Sequence, residues 1–307
     1  MNKKILVTGG AGFIGSNLVE LLKLNNYSVT VLDNLVYGNL KNIENLDVDF
    51  LELDINNFDR VNEIVPGFDC VVHLAAMVSV PESVENPFEC YKTNVLSTIN
   101  IMDLCVENNI NFIFASSAAV YGEDLTPIKT EDINVKPISP YGLSKFDIEV
   151  LADIYHREKG LNYTCFRNFN VYGPKQNISS AYAAVIPIFI SRCLNNNDLF
   201  IYGDGKQTRD FIYVGDVCKA YLLAIEKPFN DVFNLGCDDV KSVNDLARDI
   251  KFTIRSESQI IYSSSRKGDI KHSKASSKKF RSISNWVVDF DLNKGIDLTV
   301  EYYRNGK

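Results

Sequence analysis

Residues 8–15 read Thr-Gly-Gly-Ala-Gly-Phe-Ile-Gly, set between the apolar stretch Ile5-Leu6-Val7 and an amphipathic run. Glycines 9, 12 and 15 give the spacing G-x-x-G-x-x-G. This pattern predicts a strand, a tight turn and a helix whose first N–H groups face a phosphate. Gly9 permits the turn, Gly12 lets the backbone approach a pyrophosphate, and Gly15 lets the helix pack closely on the sheet. Phe13 and Ile14 belong to the same candidate contact surface. Three spaced glycines alone would be a weak signal; between a strand and a helix they are a strong one.

Outward from the loop, the chain alternates apolar runs with helical patterns. Strands are predicted at 4–8, 28–33, 47–53, 69–74, 111–116, 162–166 and 232–235, with helices including 15–25, 84–107 and 141–159. Such alternation predicts an α/β fold, a doubly wound parallel Rossmann sheet with helices on both faces. Asp33 ends the second strand, 18 residues beyond Gly15. A carboxylate there accepts hydrogen bonds from ribose hydroxyls and repels a 2′-phosphate, which favours NAD over NADP. Asn34 follows it, and neither Lys nor Arg stands beside it. Asp54 and Ile55, after the third strand, are placed to meet an adenine. Beyond Asn168 the pattern weakens into segments richer in Pro, Gly and Ser, as expected of a smaller α/β domain built from separate pieces.

The 307 residues are 46% hydrophobic and 23% charged, which suits a globular chain with a sizeable core. A net charge of −7 argues against nucleic acid as a partner, since a nucleic-acid binder needs a basic footprint. The seven cysteines are scattered without a CxxC pair and read as reduced core thiols, which suits a cytoplasmic location. Met1-Asn2-Lys3-Lys4 with Ile5-Leu6-Val7 could pass for a signal peptide, but the glycines at 9, 10 and 12 break its apolar core, so a buried first strand is expected. No apolar run reaches the roughly 18–20 residues of a membrane span. His73 reads as a satisfied core histidine and Trp286 as packing. No cluster has metal-ligand spacing, so no metal is expected.

Tyr141 and Lys145 lie four apart on a predicted helix and share one face. Ser116 and Ser117 end the fifth strand, at the edge where doubly wound sheets bind ligands. A tyrosine base at neutral pH needs its pKa lowered by about three units, or ~4 kcal/mol. One cation at ~4 Å in an effective dielectric of ~20 supplies about that much. Lys145 with an oxidised nicotinamide is expected to suffice, and Ser117 to relay the proton of a sugar hydroxyl.

TGGAGFIG at 8–15, LDN at 32–34, HLAA at 73–76, SSAAVYG at 116–122, SPYGLSK at 139–145 and RNFNVYGP at 167–174 form a recognisable series. GDGKQTRDFIYVGD at 203–216 and RKGDI at 266–270 complete it. The chain resembles, over essentially its whole length, the extended short-chain dehydrogenase/reductases that act on nucleotide sugars, and within them the UDP-glucose and UDP-N-acetylglucosamine 4-epimerases. The resemblance implies Ser117, Tyr141 and Lys145 as catalytic. It adds Leu74, Ala75, Ala76, Asn94, Ser116 and Phe169 to the NAD contacts. It implies a NAD-binding domain of residues 1–167 with 208–236, and a UDP-sugar-binding domain of 168–207 with 237–307. The implied reaction is redox-neutral: Tyr141 takes the C4 hydroxyl proton as the C4 hydride leaves to NAD, the 4-keto sugar turns over, and the hydride returns to its other face.

Related 4,6-dehydratases carry an Asp-Glu pair after the serine or threonine, whereas Ala118-Ala119-Val120 offer neither acid nor base. The loop at 181–187 resembles that of epimerases taking N-acetylated UDP-hexoses, with Ala184, Val185 and Asn170 around a 2-acetamido group. Where epimerases restricted to glucose and galactose tend to carry a bulky Tyr, this chain has Ser273. These features favour UDP-GlcNAc/UDP-GalNAc, with UDP-Glc/UDP-Gal also accepted; a UDP-uronate epimerase or decarboxylase, a net reductase, and a non-catalytic NAD-binding sensor stay open. Arg209 and Arg266 suit the UDP diphosphate, with Asp269 beside them and Tyr202 stacking on uracil. Val78 stands where a lysine often contacts the cofactor. A homodimer is implied, through helices near 94–107 and 144–159 that carry Leu143, Ile148, Leu151, Ile154 and Tyr155.

Overall fold

The computed structural model describes residues 3–178, 184–265 and 271–306. Seven strands form one parallel sheet: β1 (Lys4–Thr8), β2 (Ser28–Asp33), β3 (Asp49–Glu52), β4 (Cys70–His73), β5 (Asn111–Ser117), β6 (Tyr163–Asn168) and β7 (Val232–Leu235). Their spatial order is β7-β6-β5-β4-β1-β2-β3. Every residue of β4 is buried, as a strand covered on both faces requires. After β3 the chain crosses to the other side of β1, so the loops after β1 and β4 diverge at the sheet's carboxyl edge. That reversal opens the crevice in which doubly wound sheets bind ligands. The fold class expected from the sequence is the one observed.

Helix α1 (Phe13–Leu24) starts directly from the loop, with Gly12 as its extended N-cap. Its Gly15, Ser16, Leu18, Val19 and Leu22 are buried. The helix expected over 84–107 is broken into pieces. A short helix covers Val80–Glu85, and Asn86-Pro87 interrupts it because Pro87 has no N–H to continue the ladder. A π-helical turn follows at Lys92–Leu96, and only then comes α2 (Ser97–Glu107). Helix α3 (Pro140–Lys159) has clear local signals at both ends. The Ser139 hydroxyl accepts the Gly142 N–H, Pro140 fills the first turn, and left-handed Gly160 ends it. Its inner face carries Lys145, Ile148, Glu149 and Ala152.

Contacts divide the chain into two compact units. The first is Met1–Asp124, Glu131–Asn168 and Cys218–Phe233; the second is Leu125–Thr130, Phe169–Val217 and Asn234–Lys307. Residues 208–217, expected with the Rossmann domain, group with the second unit. Thr208 and Arg209 pair with Ser242 and Lys241 on one side and with His272 and Ser273 on the other. Residues 125–130 group there too, since Ile128 and Lys129 pair with Lys274 and Ala275. Trp286 packs against Phe280 and donates Nε1–H to the Asp216 carbonyl at 2.9 Å. No described helix is long and apolar enough to cross a membrane.

A Cβ at position 15 would lie 2.2 Å from the Gly9 carbonyl oxygen and 2.7 Å from the Gly10 Cα. Both are backbone atoms and cannot swing aside. Gly15→Ala should therefore cost about 3 kcal/mol in denaturant unfolding, the upper range of overpacking.

Candidate active site

The glycine loop is shaped by contact with the loop after β4. Gly9 has φ +68°, and a Cβ there would sit 2.7 Å from the Ala75 nitrogen and 2.8 Å from the Leu74 carbonyl carbon. Leu74 N–H in turn donates to the Thr8 carbonyl at 3.0 Å. At Gly12 an added Cβ would meet only the Gly9 oxygen, at 3.1 Å, so the loop's bare backbone forms an open cradle. The first N–H groups of α1, at Phe13, Ile14 and Gly15, have no acceptor within their own helix and suit a pyrophosphate.

Asp33 is buried behind this cradle. Its carboxylate accepts the N–H groups of Ala11 at 3.0 Å and Leu35 at 2.8 Å. Burial raises its pKa, and those backbone hydrogen bonds oppose the rise. A carboxylate has about four lone-pair sites, so ribose hydroxyls still find acceptors. Asn34 donates to Asp54 at 3.0 Å, which joins two of the expected contacts directly. Ile55 is buried beside them. Open cradle, helix N-terminus and terminal carboxylate together fit a dinucleotide.

Ser117 ends β5, and Tyr141 and Lys145 stand on the first turns of α3. All three lie in the first unit. Lys145 Nζ donates to the Ala115 carbonyl at 3.0 Å and lies 5.9 Å from the centre of the Tyr141 ring. Burial lowers the Lys145 pKa to about 8, while Glu149 is among the charges that pull it back up. The Tyr141 phenol shifts in the opposite direction. Burial raises its pKa, and the hydrogen bond with Ser117 only partly offsets that. The buried ammonium is held by the Ala115 carbonyl rather than by the phenol.

Two expected contacts are committed inward. Ser116 donates its hydroxyl to Glu149. Glu149 is held by Arg167 through Nε at 3.0 and 3.1 Å and Nη2 at 2.7 Å, and Arg167 also donates to the Tyr121 hydroxyl at 2.9 Å. The Asn94 side chain accepts the Met77 N–H at 2.8 Å and donates to the Met77 carbonyl and to Ser144 at 3.1 Å each. Asn94 therefore ties the π-turn to the segment after Ala76 and to α3. His73 is the core residue expected: both ring nitrogens are hydrogen-bonded, to Thr8 and Thr98, and burial lowers its pKa to about 3. Glu149 and Arg167 escaped the sequence reading, although Glu149 stands four residues after Lys145 on the same helical face.

Of the expected substrate residues, Ser117 is in the first unit, and Asn170, Ala184, Val185, Tyr202, Arg209 and Ser273 fall in the second. Arg209 and Ser273 are direct neighbours across a parallel strand pair. Asn170 begins the strand Asn170–Tyr172, paired in register with Phe211. Phe169 just before it is buried. Ala184 is the N-cap of the helix Val185–Leu194, and Tyr202 is the exposed last residue of strand Leu199–Tyr202. Arg266, Asp269 and loop residues 181–183 lie outside the described residues. Among the described residues no group of three His, Cys, Asp or Glu could hold a metal ion.

Sequence comparison matches residues 5–236 to the NAD dependent epimerase/dehydratase family. A Methanocaldococcus jannaschii protein named "Putative UDP-glucose 4-epimerase" is 42% identical over 98% of each chain. A UDP-glucose 4-epimerase of Thermotoga maritima, solved with UDP-glucose, superposes with a TM-score of 0.95 at 38% identity over 99% of each chain. A UDP-N-acetylglucosamine 4-epimerase of Methanobrevibacter ruminantium, solved with UDP-N-acetylmuramic acid, gives 0.93 at 36% identity over 100% of this chain and 99% of its own. Similar proteins also include a UDP-N-acetyl-alpha-D-glucosaminuronate decarboxylase of Bacillus cytotoxicus, 33% identical over 99% of this chain and 98% of its own.

The buried lysine gives a signed pH dependence. Between about 8 and the ordinary 10.5, the unfolded chain holds the Lys145 proton more tightly than the folded one. Lys145 therefore contributes a gain in stability as pH rises through that window. Unfolding curves at pH 8 and 10 should show wild type gaining on Lys145→Met.

Proposed function

The chain belongs to the NAD dependent epimerase/dehydratase family, and from that premise we propose that it is a UDP-hexose 4-epimerase, acting on UDP-GlcNAc/UDP-GalNAc and also on UDP-Glc/UDP-Gal. The observation that carries the reading is the assembly of Ser117, Tyr141 and Lys145 at the carboxyl edge of the sheet that also bears the glycine cradle. The neighbouring side chains of Ala118, Ala119 and Val120 supply no acid or base for elimination, which disfavours a dehydratase.

NAD, held by Gly9, Gly12, Phe13, Ile14, Gly15, Asp33 and Asp54, would supply a hydride acceptor and donor at C4 and, when oxidised, a positive charge near Tyr141. Tyr141 exchanges the C4 hydroxyl proton, but only when cations outweigh the burial that raises its pKa. Lys145 supplies one such cation, and Glu149 helps to keep it charged. Ser117 hydrogen-bonds Tyr141 and would share the same sugar hydroxyl. Arg209 and Arg266, with Asp269, are assigned to the diphosphate, Tyr202 to uracil, and Asn170, Ala184, Val185 and Ser273 to the sugar. The decarboxylase among the relatives favours a second reading, in which a UDP-uronate is the substrate.

Incubation with UDP-GlcNAc, UDP-Glc and UDP-GlcA without added NAD, read by NMR, separates these. The expected result is an axial–equatorial mixture at C4 from UDP-GlcNAc. Release of CO2 from the uronate would favour decarboxylation, and conversion of UDP-Glc alone would remove the argument for a wide pocket. Tyr141→Phe should lower kcat by about 10²–10⁴-fold, the usual share of a positioned acid–base group.

A homodimer is proposed on the exposed apolar residues of α3. Leu143, Val150 and Ile154 are 41%, 43% and 38% exposed, whereas Ile148 is buried and belongs to the core. Leu151 and Tyr155 are partly buried and pack on the core as well. A second copy of α3 would cover the exposed set. Sedimentation velocity should show a dimer, and the triple change of Leu143, Val150 and Ile154 to Glu should give a monomer that still binds NAD.

A further inference from the structure

Asp210 follows Arg209 in the chain and is completely buried. Its Oδ1 accepts the N–H of Cys237 at 2.7 Å, and its Oδ2 accepts the N–H groups of Asp238 and Ala275 at 3.1 Å each. Its own N–H donates to the Ser273 carbonyl at 3.0 Å. Its carbonyl accepts the Asn170 side-chain amide at 2.8 Å. One residue thus joins four segments, and three of the residues assigned to the UDP-sugar touch it. Arg209 is its covalent neighbour, Ser273 takes its N–H, and Asn170 caps its carbonyl.

The surroundings are fitted to a carboxylate. A Cβ on Gly236 would come within 2.5 Å of the Ala275 Cβ and 3.0 Å of Asp210 Oδ2, so the backbone passes too close for any side chain. The three partners of the carboxylate are all N–H donors, and a carboxylate is the side chain of this size that only accepts. Burial raises the Asp210 pKa to about 7, opposed by the N–H groups of Cys237 and Ala275. Three backbone N–H groups converging on one buried carboxylate mark a position where acceptor geometry matters.

We infer that Asp210 is a positioning residue for nucleotide-sugar binding, setting the spacing of Asn170, Arg209 and Ser273 without touching the ligand. The inference rests on the UDP-sugar reading above. Asp210→Asn replaces one acceptor oxygen by an NH2 that must face an N–H donor, so the segments carrying Ser273 and residues 237–238 shift. The short strand ladders around it hold the unit together meanwhile.

The experiment compares wild type, Asp210→Asn and Asp210→Ser as whole chains, by calorimetric titration with UDP and with NAD and by steady-state kinetics on UDP-GlcNAc. In Asp210→Asn the UDP Kd and the sugar-nucleotide KM should rise at least about tenfold, while kcat changes less than about threefold and NAD affinity is unchanged. The smaller Ser keeps an acceptor and should fall between the two. A folded Asp210→Asn with wild-type UDP affinity overturns the inference, as does equal loss of kcat and NAD binding. Failure of both variants to fold also overturns it, because Asp210 would then hold the whole unit rather than its ligand groups. Wild type that binds no UDP overturns the functional reading itself.

Discussion

A carboxylate taken out of water loses several kcal/mol of hydration unless donors surround it. Four such groups organise this protein. Asp33 gathers N–H groups from the glycine loop and from Leu35. Glu149 is gripped by Arg167 and by Ser116 at the end of β5. Asp210 collects three backbone N–H groups from the second unit. Asp216 accepts those of Asp289 and Phe290 at 3.1 Å each. In each case an unmet acceptor would be costly, so loops that could take many conformations are held in one. The apolar core explains why the sheet forms; these carboxylates explain why the segments around it are ordered.

The chemistry proposed for the first unit depends on the same balance. Burial works against charge on both Tyr141 and Lys145, raising one pKa and lowering the other. Both shifts favour the neutral pair in the chain by itself. Glu149 lies one turn beyond Lys145 and biases it back toward the ammonium. For Tyr141 to serve as the proposed base, positive charge must offset the burial that raises its pKa. The Asn94 side chain, bonded to Met77 and Ser144, fixes the segment after β4 against α3 from its π-turn.

The strands were legible because a parallel sheet covered on both faces leaves continuous apolar runs, such as Cys70-Val71-Val72. Helix α3 was legible from Ser139-Pro140 at its start and Gly160 at its end. The broken helix over 80–107 was not, because the apolar period continues through Asn86-Pro87 and the π-turn. Ser116 and Asn94 were NAD contacts implied by the family resemblance, and a motif places a residue near a site without saying whether its side chain turns toward the crevice or into the core. The places of the glycines after β1, of Asp33 and Ser117 at strand ends, and of Tyr141 and Lys145 on α3 were legible because local geometry and fixed spacing constrain them.

The sequence by itself determined the parallel sheet, the glycine turn at its edge and the tyrosine–lysine face of α3, all products of short-range periodicity and backbone sterics. Only the tertiary structure decided which polar groups are buried together. Glu149 with Arg167, and Asp210 with residues 170, 237, 238, 273 and 275, meet across long separations in the chain. The direction of the Tyr141 and Lys145 shifts was likewise a tertiary outcome. Desolvation depends on the atoms that enclose a group, and those come from segments that no local pattern brings together.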